Sequence, residues 1–274
     1  MDNGKYALVT GASSGIGLAF SEELAKQGYP LVMVSNEQEK IALAAQMIQE
    51  KFRVRAIPVF MDLAQTNAAQ KLFDYCAANK INIYILINNA GIFFFRDIID
   101  TPVSRLETII NLHITTPTML CRLFAEQMAA CESSSKIRNG FILNVSSIAA
   151  WMMMPGLTMY NSTKSYLYCF SRAMRRELID RGVSITVLCP GAAATGLYNL
   201  PSRYMKLGIR LGIIITSERL VRLALKKMFA EKAKFIPGGL INRIFIFIVE
   251  KMPEFLIRRI RKKLLMGTSK NFSF

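Results

Sequence analysis

A short apolar strand, Tyr6–Thr10, runs straight into Thr10-Gly11-Ala12-Ser13-Ser14-Gly15-Ile16-Gly17, and from there into a helical run through Leu18, Phe20, Leu24 and Ala25 that stops at Gly28. This strand, glycine turn and helix constrain the fold more than any other segment. Glycine lets the backbone turn tightly and approach an anion closely, and the helix that follows offers the anion its unpaired N–H groups and the positive end of its dipole. Such a turn suits the pyrophosphate of a dinucleotide, held by Gly11, Ser13, Ser14, Gly15, Ile16 and Gly17. A glycine turn with a purely structural role is the plainer alternative, because many turns carry glycine.

The rest of the chain repeats this alternation up to about Cys189. Short β-branched or aliphatic runs predict strands at Tyr6–Thr10, Leu31–Ser35, Arg53–Val59, Ile83–Asn88, Gly140–Val145, Ser184–Leu188 and Lys234–Ile236. Longer amphipathic runs between them predict helices, the longest near Ser104–Cys131 and Thr158–Arg181. Alternating strands and helices build a doubly wound α/β fold, with about seven parallel strands and helices on both faces. Its ligands gather at the carboxyl ends of the strands. The 274 residues, 52% of them hydrophobic, suffice for one domain over residues 1–274.

Other classes are excluded by what the sequence lacks. Five cysteines lie far apart, with no C-x-x-C pair, and His113 is the sole histidine, so neither a disulfide framework nor a metal site is expected. The N-terminus shows no basic region followed by a long apolar stretch, which points to cytoplasmic folding. The net charge of +16 is concentrated: residues 201–274 hold 17 lysines and arginines against 4 acids, a net +13, leaving +3 for residues 1–200.

The sharpest chemical signal is Tyr160-Asn161-Ser162-Thr163-Lys164. Residues four apart share a helix face, and a phenol beside an ammonium is an unusual use of it. A phenol with an ordinary pKa of about 10 transfers protons poorly near neutrality. A neighbouring Lys164 cation favours the phenolate and brings Tyr160 toward the operating pH. A core tyrosine beside a solvated lysine is the structural alternative. Thirteen residues before Tyr160, Ser147 closes the fifth strand and offers a hydroxyl that can stabilise developing charge on a carbonyl oxygen. A hydrolase use of Ser147 would need a G-x-S-x-G elbow and a histidine base, but Val145 and Ala149 flank it.

Taken in order over residues 6–195, these motifs resemble the short-chain dehydrogenase/reductase family, whose fold is Rossmann-like. The resemblance covers about seven tenths of the chain and implies further roles. Ser147, Tyr160 and Lys164 would be catalytic, with Lys164 also binding ribose, and Asn111 would hold a water that relays protons through the lysine. Ser35 and Asn36 stand where the adenosine ribose is read. Neither is acidic, which favours NADP(H) over NAD(H), although the arginine or lysine that members commonly offer a 2′-phosphate is missing here and at Ser14. Asp62-Leu63 resembles the adenine-binding element, and a helix cap for the run beginning near Gln65 is an equal alternative. Asn88-Asn89-Ala90-Gly91 and the Pro190-Gly191 element with Thr195 would line the cofactor pocket. Ala150, where many members carry glycine, is a departure that removes no catalytic group.

Residues 196–274 read as a lid followed by a basic helical extension. Leu197, Tyr198, Leu200, Tyr204, Met205, Leu207, Ile209, Leu211 and Ile213–Ile215, with Trp151–Met154, make the lid region strongly apolar. A bulky lipophilic substrate such as a 3-oxoacyl chain, a keto lipid or a ketosteroid would suit it, as would simple packing. From Leu240 to Leu265 an amphipathic pattern adjoins Arg258, Arg259, Arg261, Lys262 and Lys263, and its apolar run Ile244–Val249 is far shorter than the about 20 residues of a membrane span. Peripheral contact with an anionic membrane is expected, a solvated helix being the alternative. Nucleic acid is not expected, since no reader motif accompanies the charge. The resemblance implies a homo-oligomer and hydride transfer between NADP(H) and a ketone or secondary alcohol. A nucleotide-binding sensor or scaffold without chemistry is the alternative.

Overall fold

The computed structural model describes residues 4–130, 138–191, 215–238, 247–249 and 251–259. Seven strands, β1 (Tyr6–Thr10), β2 (Leu31–Ser35), β3 (Ala56–Phe60), β4 (Ile83–Asn88), β5 (Gly140–Val145), β6 (Val183–Leu188) and β7 (Lys234–Phe235), form one sheet. Their order is β3-β2-β1-β4-β5-β6-β7, with parallel pairing throughout. The helices are α1 (Gly15–Lys26), α2 (Gln38–Phe52), α3 (Ala68–Ala78), α4 (Val103–Ile110), α5 (Thr116–Ala129), α6 (Thr158–Leu178) and α7 (Ser217–Phe229).

β1, β2, β4, β5 and β6 are mostly apolar because both faces of the sheet are covered there. Successive residues point to opposite faces, so β1 sends Ala7 and Val9 to one side and Tyr6 and Leu8 to the other. On the first side α1, α2 and α7 contribute Phe20, Leu24, Ile41, Ile48, Leu220 and Leu225. On the second, α3, α5 and α6 contribute Leu72, Phe124, Met128 and Met174. Burying a side chain the size of Phe20 or Phe124 stabilises the fold by about 1.5–3 kcal/mol.

From β1 the chain works outward to β3, then returns to place β4 on the other side of β1. At this reversal the loops after β1 and β4 part and open a crevice. Beneath it, polar side chains tie the layers together. The Asn88 amide donates to Asn144 Oδ1 at 2.8 Å, and the Asn144 amide donates to Ser171 Oγ on α6 at 2.8 Å. These bonds fix the ends of β4 and β5 against the helix that carries Tyr160.

Besides one-residue shifts at the start of β6 and the end of β7, three elements differ from their sequence reading. β3 begins at Ala56 rather than Arg53, because Arg53 adopts φ 56° and closes α2 by donating its N–H to Gln49 O. Being an edge strand, β3 tolerates Pro58. The single helix expected over Ser104–Cys131 is divided into α4 and α5 by a widened π turn at Asn111–Thr115. The turn seats His113, whose Nε2 accepts from the Ile92 N–H at 3.0 Å. The third difference is at Asp62, where α3 starts at Ala68 instead of near Gln65, and Asp62 instead accepts the Ala64 N–H and the Gln65 amide. Leu197–Ile214 of the lid reading, Thr195, and most of residues 240–274 lie outside the described residues.

Candidate active site

A cleft of about 400 Å³ opens at the carboxyl ends of the strands. Gly11, Ser13, Ser14, Gly15, Ile16, Ser35, Asn36, Asp62, Leu63, Asn89, Ala90, Gly91, Ser147, Tyr160, Lys164, Pro190 and Gly191 all line it. Residues scattered over 180 positions of sequence thus meet on one surface, as the strand order requires. Gly17 lies behind this wall, where a Cβ would sit 1.9 Å from the Gly11 carbonyl oxygen. Asn111 begins the π turn and is not itself a lining residue, whereas Leu112 and His113 are.

The dinucleotide end of the cleft fits its expected ligand. Ser14 precedes α1 in extended conformation and makes no side-chain cap, and the first turn carries no acidic residue, so N–H groups at the N-terminus are left for an anion. Gly11, at φ +65°, brings the turn close to Asn89 and Ala90. Thr10, which opens the glycine-turn motif but is given no role in the sequence reading, holds the two loops together. Its hydroxyl accepts from Asn89 and Ala90 N–H at 2.9 and 3.0 Å, while the Asn89 amide donates to Thr10 O at 3.0 Å.

At the end of β2 the sequence reading considered Ser35 and Asn36 and missed Glu37. Ser35 Oγ donates to Ser13 Oγ at 3.0 Å, and Ser13 Oγ donates to Glu37 Oε2 at 2.7 Å. Lys40 pairs with the other carboxylate oxygen. That bond, and then the one from Ser13, hold the Glu37 carboxyl below the usual range, so it is an anion on the rim of the cleft.

At the reaction end, Tyr160 and Lys164 are buried one turn apart in α6. The Phe93 and Tyr160 rings meet edge to face with their centroids 5.1 Å apart, and Lys164 Nζ lies 5.7 Å from the Tyr160 ring centroid. Lys164 Nζ donates to Val145 O at 3.0 Å. Its burial pushes the ammonium down from an ordinary 10.5 to about 8. Ser146 and Ser147 divide their duties. Ser146 Oγ donates to Lys164 O at 2.7 Å and anchors α6, whereas Ser147 Oγ accepts the Ala149 N–H at 3.1 Å. The bond that Ser147 Oγ offers Pro190 O is 3.5 Å long, weak enough for its proton to turn to another acceptor.

His113 is a neutral brace. Since Nε2 accepts from Ile92, the proton sits on Nδ1, 3.0 Å from Thr163 Oγ1, and the Thr163 hydroxyl in turn donates to Tyr160 O. Burial, and then the Lys164 charge, hold its pKa well below 6.5. The histidine therefore links the Gly91–Ile92 loop, the π turn and the first turn of α6 without carrying charge.

The family model for short chain dehydrogenases matches residues 5–202. The chain belongs to that family. Among its relatives, the very-long-chain 3-oxoacyl-CoA reductase-A of Danio rerio is 34% identical over 197 residues, 70% of this chain and 59% of the relative. The match thus spans about three fifths of that relative's length. A solved 7beta-hydroxysteroid dehydrogenase superposes with a TM-score of 0.79 at 26% identity, covering 93% of this chain and 96% of its own. The Sphingobium yanoikuyae short-chain dehydrogenase in complex with NADPH gives 0.76 at 21% identity, covering 98% and 96%, which speaks for the fold.

Proposed function

We propose that the protein reduces the ketone of a lipophilic substrate to a secondary alcohol, with a nicotinamide dinucleotide as the reductant, and catalyses the reverse oxidation. The observation that carries this reading is the meeting of Ser147, Tyr160 and Lys164 on the wall that adjoins the glycine turn. When bound, the reduced nicotinamide supplies the hydride. Ser147 Oγ donates to the carbonyl oxygen and stabilises the negative charge that grows there. Tyr160 Oη gives that oxygen its proton, and the Lys164 cation favours the phenolate left behind. Lys164 also holds the cofactor ribose, and Asn111, at the start of the π turn, holds the relay water that returns a proton. The Pro190-Gly191 loop frames the nicotinamide.

An apolar wall supports the lipophilic class. Ile92, Phe93, Phe94, Met152 and Met159 pack around Tyr160, and Met153 is largely exposed beside them. A 3-oxoacyl chain, a keto lipid or a ketosteroid has the matching surface, and two of these classes appear in the names of the relatives. On cofactor choice, Ser35 and Asn36 by themselves favour NADP(H), while the Glu37 anion weighs against a 2′-phosphate. The exposed Ile110, Met119 and Tyr166 on α4, α5 and α6 support assembly with further copies of the chain. No helix among the described residues is long and apolar enough to cross a membrane. Exposed Phe247, Phe255 and Leu256 beside Arg258 and Arg259 support peripheral contact with an anionic membrane from the cytoplasmic side.

The test is consumption of NADH and NADPH with a panel of 3-oxoacyl thioesters, long-chain ketones, ketosteroids and short ketones. Turnover should favour the lipophilic members. A protein that binds dinucleotide yet reduces none of them would overturn the proposal.

A further inference from the structure

One anion on the rim of the cleft is not used by the chemistry above. Glu37 lies twenty residues after Gly17, about the distance at which a strand, turn and helix bring an acidic side chain to the adenosine ribose. Two hydrogen bonds set its position. Ser13, from the glycine turn, donates to Oε2, and the Glu37 N–H donates to Ser35 Oγ at 3.2 Å. Ser35 in turn donates to Ser13, so the three residues form a closed ring joining the ends of β1 and β2.

Resting on the oxidoreductase reading, we propose that Glu37 sets the choice of cofactor and makes NAD(H) the preferred dinucleotide, reversing the expectation drawn from Ser35 and Asn36. A carboxylate only accepts hydrogen bonds, and a ribose 2′-hydroxyl can donate one to it. A 2′-phosphate has about −1.5 to −2 charge near neutrality and is mostly without a proton to offer, so the same carboxylate repels it. Ser13 cannot compensate, because its proton is directed to Glu37. Among the described residues lining the cleft, the one cation is Lys164, which stands beside Tyr160 and not at this rim. Lys40 is nearer, but its side chain is 65% exposed against 40% for Glu37 and is already paired with it, so water and salt screen its pull on a phosphate more than they screen the carboxylate. Glu37 is thus the dominant charge where the two cofactors differ.

The experiment measures dissociation constants for NADH and NADPH by the emission of the bound reduced nicotinamide, which needs no turnover. The proteins are the wild type, Glu37→Gln, Glu37→Ser and Lys40→Ala. Glu37→Gln keeps the shape of the side chain and can still receive the Ser13 hydroxyl proton, so it separates charge from folding. The wild type should bind NADH about tenfold or more tightly than NADPH. Both Glu37 variants should lose most of that ratio through tighter NADPH binding, and Lys40→Ala should keep or widen it by leaving the carboxylate unneutralised. A wild type that binds NADPH as tightly as NADH, or a ratio unchanged in Glu37→Gln, would overturn the proposal. Binding of neither dinucleotide to the folded wild type would overturn the oxidoreductase reading and this inference with it.

Discussion

Replacing Lys164 with methionine should inactivate the protein and at the same time make it more stable. The ammonium is buried, and its pKa falls from 10.5 to about 8. That difference means the folded chain disfavours the charged form by about 3 kcal/mol at neutral pH. Methionine is of similar length and apolar, so it removes the penalty without opening a cavity. It also leaves Val145 O without its 3.0 Å donor, a loss of about 1 kcal/mol. The net gain is about 2 kcal/mol, or about 4 °C in Tm for a chain of this size. The sign of the pH dependence follows from the lowered pKa. Below about pH 8 the lysine is charged whether folded or unfolded, and its burial costs the full amount. As pH rises from about 8 to 10.5 the folded lysine loses its proton first, and the cost disappears. Thermal melts of the cofactor-free wild type and variant should therefore differ most near neutrality and converge toward about pH 10. A variant less stable than the wild type at neutral pH, or a gap unchanged with pH, would refute this account of Lys164.

Reductive turnover should fall as pH rises through about 8, because the lowered pKa removes the Lys164 cation that favours the Tyr160 phenolate; a pH profile of kcat checks this. Gly17→Ala should abolish dinucleotide binding and cost about 1–3 kcal/mol of stability, since the new Cβ meets the Gly11 carbonyl oxygen at 1.9 Å and backbone cannot give way easily; calorimetric titration and a melt measure both. Removing residues 240–274 should weaken cosedimentation with vesicles of anionic lipid and leave binding to zwitterionic vesicles unchanged.

Much of this was legible in the sequence because its signals are local and periodic. Apolar runs gave the strands, and the glycine spacing after Tyr6–Thr10 marked the start of α1. The four-residue spacing of Tyr160 and Lys164 placed them on one helix face. What escaped the reading depends on contacts between distant segments. Glu37 reaches Ser13 across 24 residues, and attention to the last residues of β2 passed over the helix cap just beyond it. The brace of His113 joins Ile92 and Thr163, 21 residues before it and 50 after it. The π turn at Asn111 leaves the apolar pattern of its helix nearly intact, so periodicity alone does not reveal it. Arg53 looked like the start of a strand because its left-handed backbone has no mark in side-chain pattern.

The central claim is that Tyr160 moves the proton. Its most direct test is Tyr160→Phe, assayed for turnover of a lipophilic ketone and, separately, for binding of NADH and NADPH. The phenylalanine ring fills the same space against Phe93 and lacks only the hydroxyl. Turnover should drop by about 10²–10⁴ with dinucleotide affinity nearly unchanged. Turnover retained at the wild-type level, with binding intact, would contradict the mechanism.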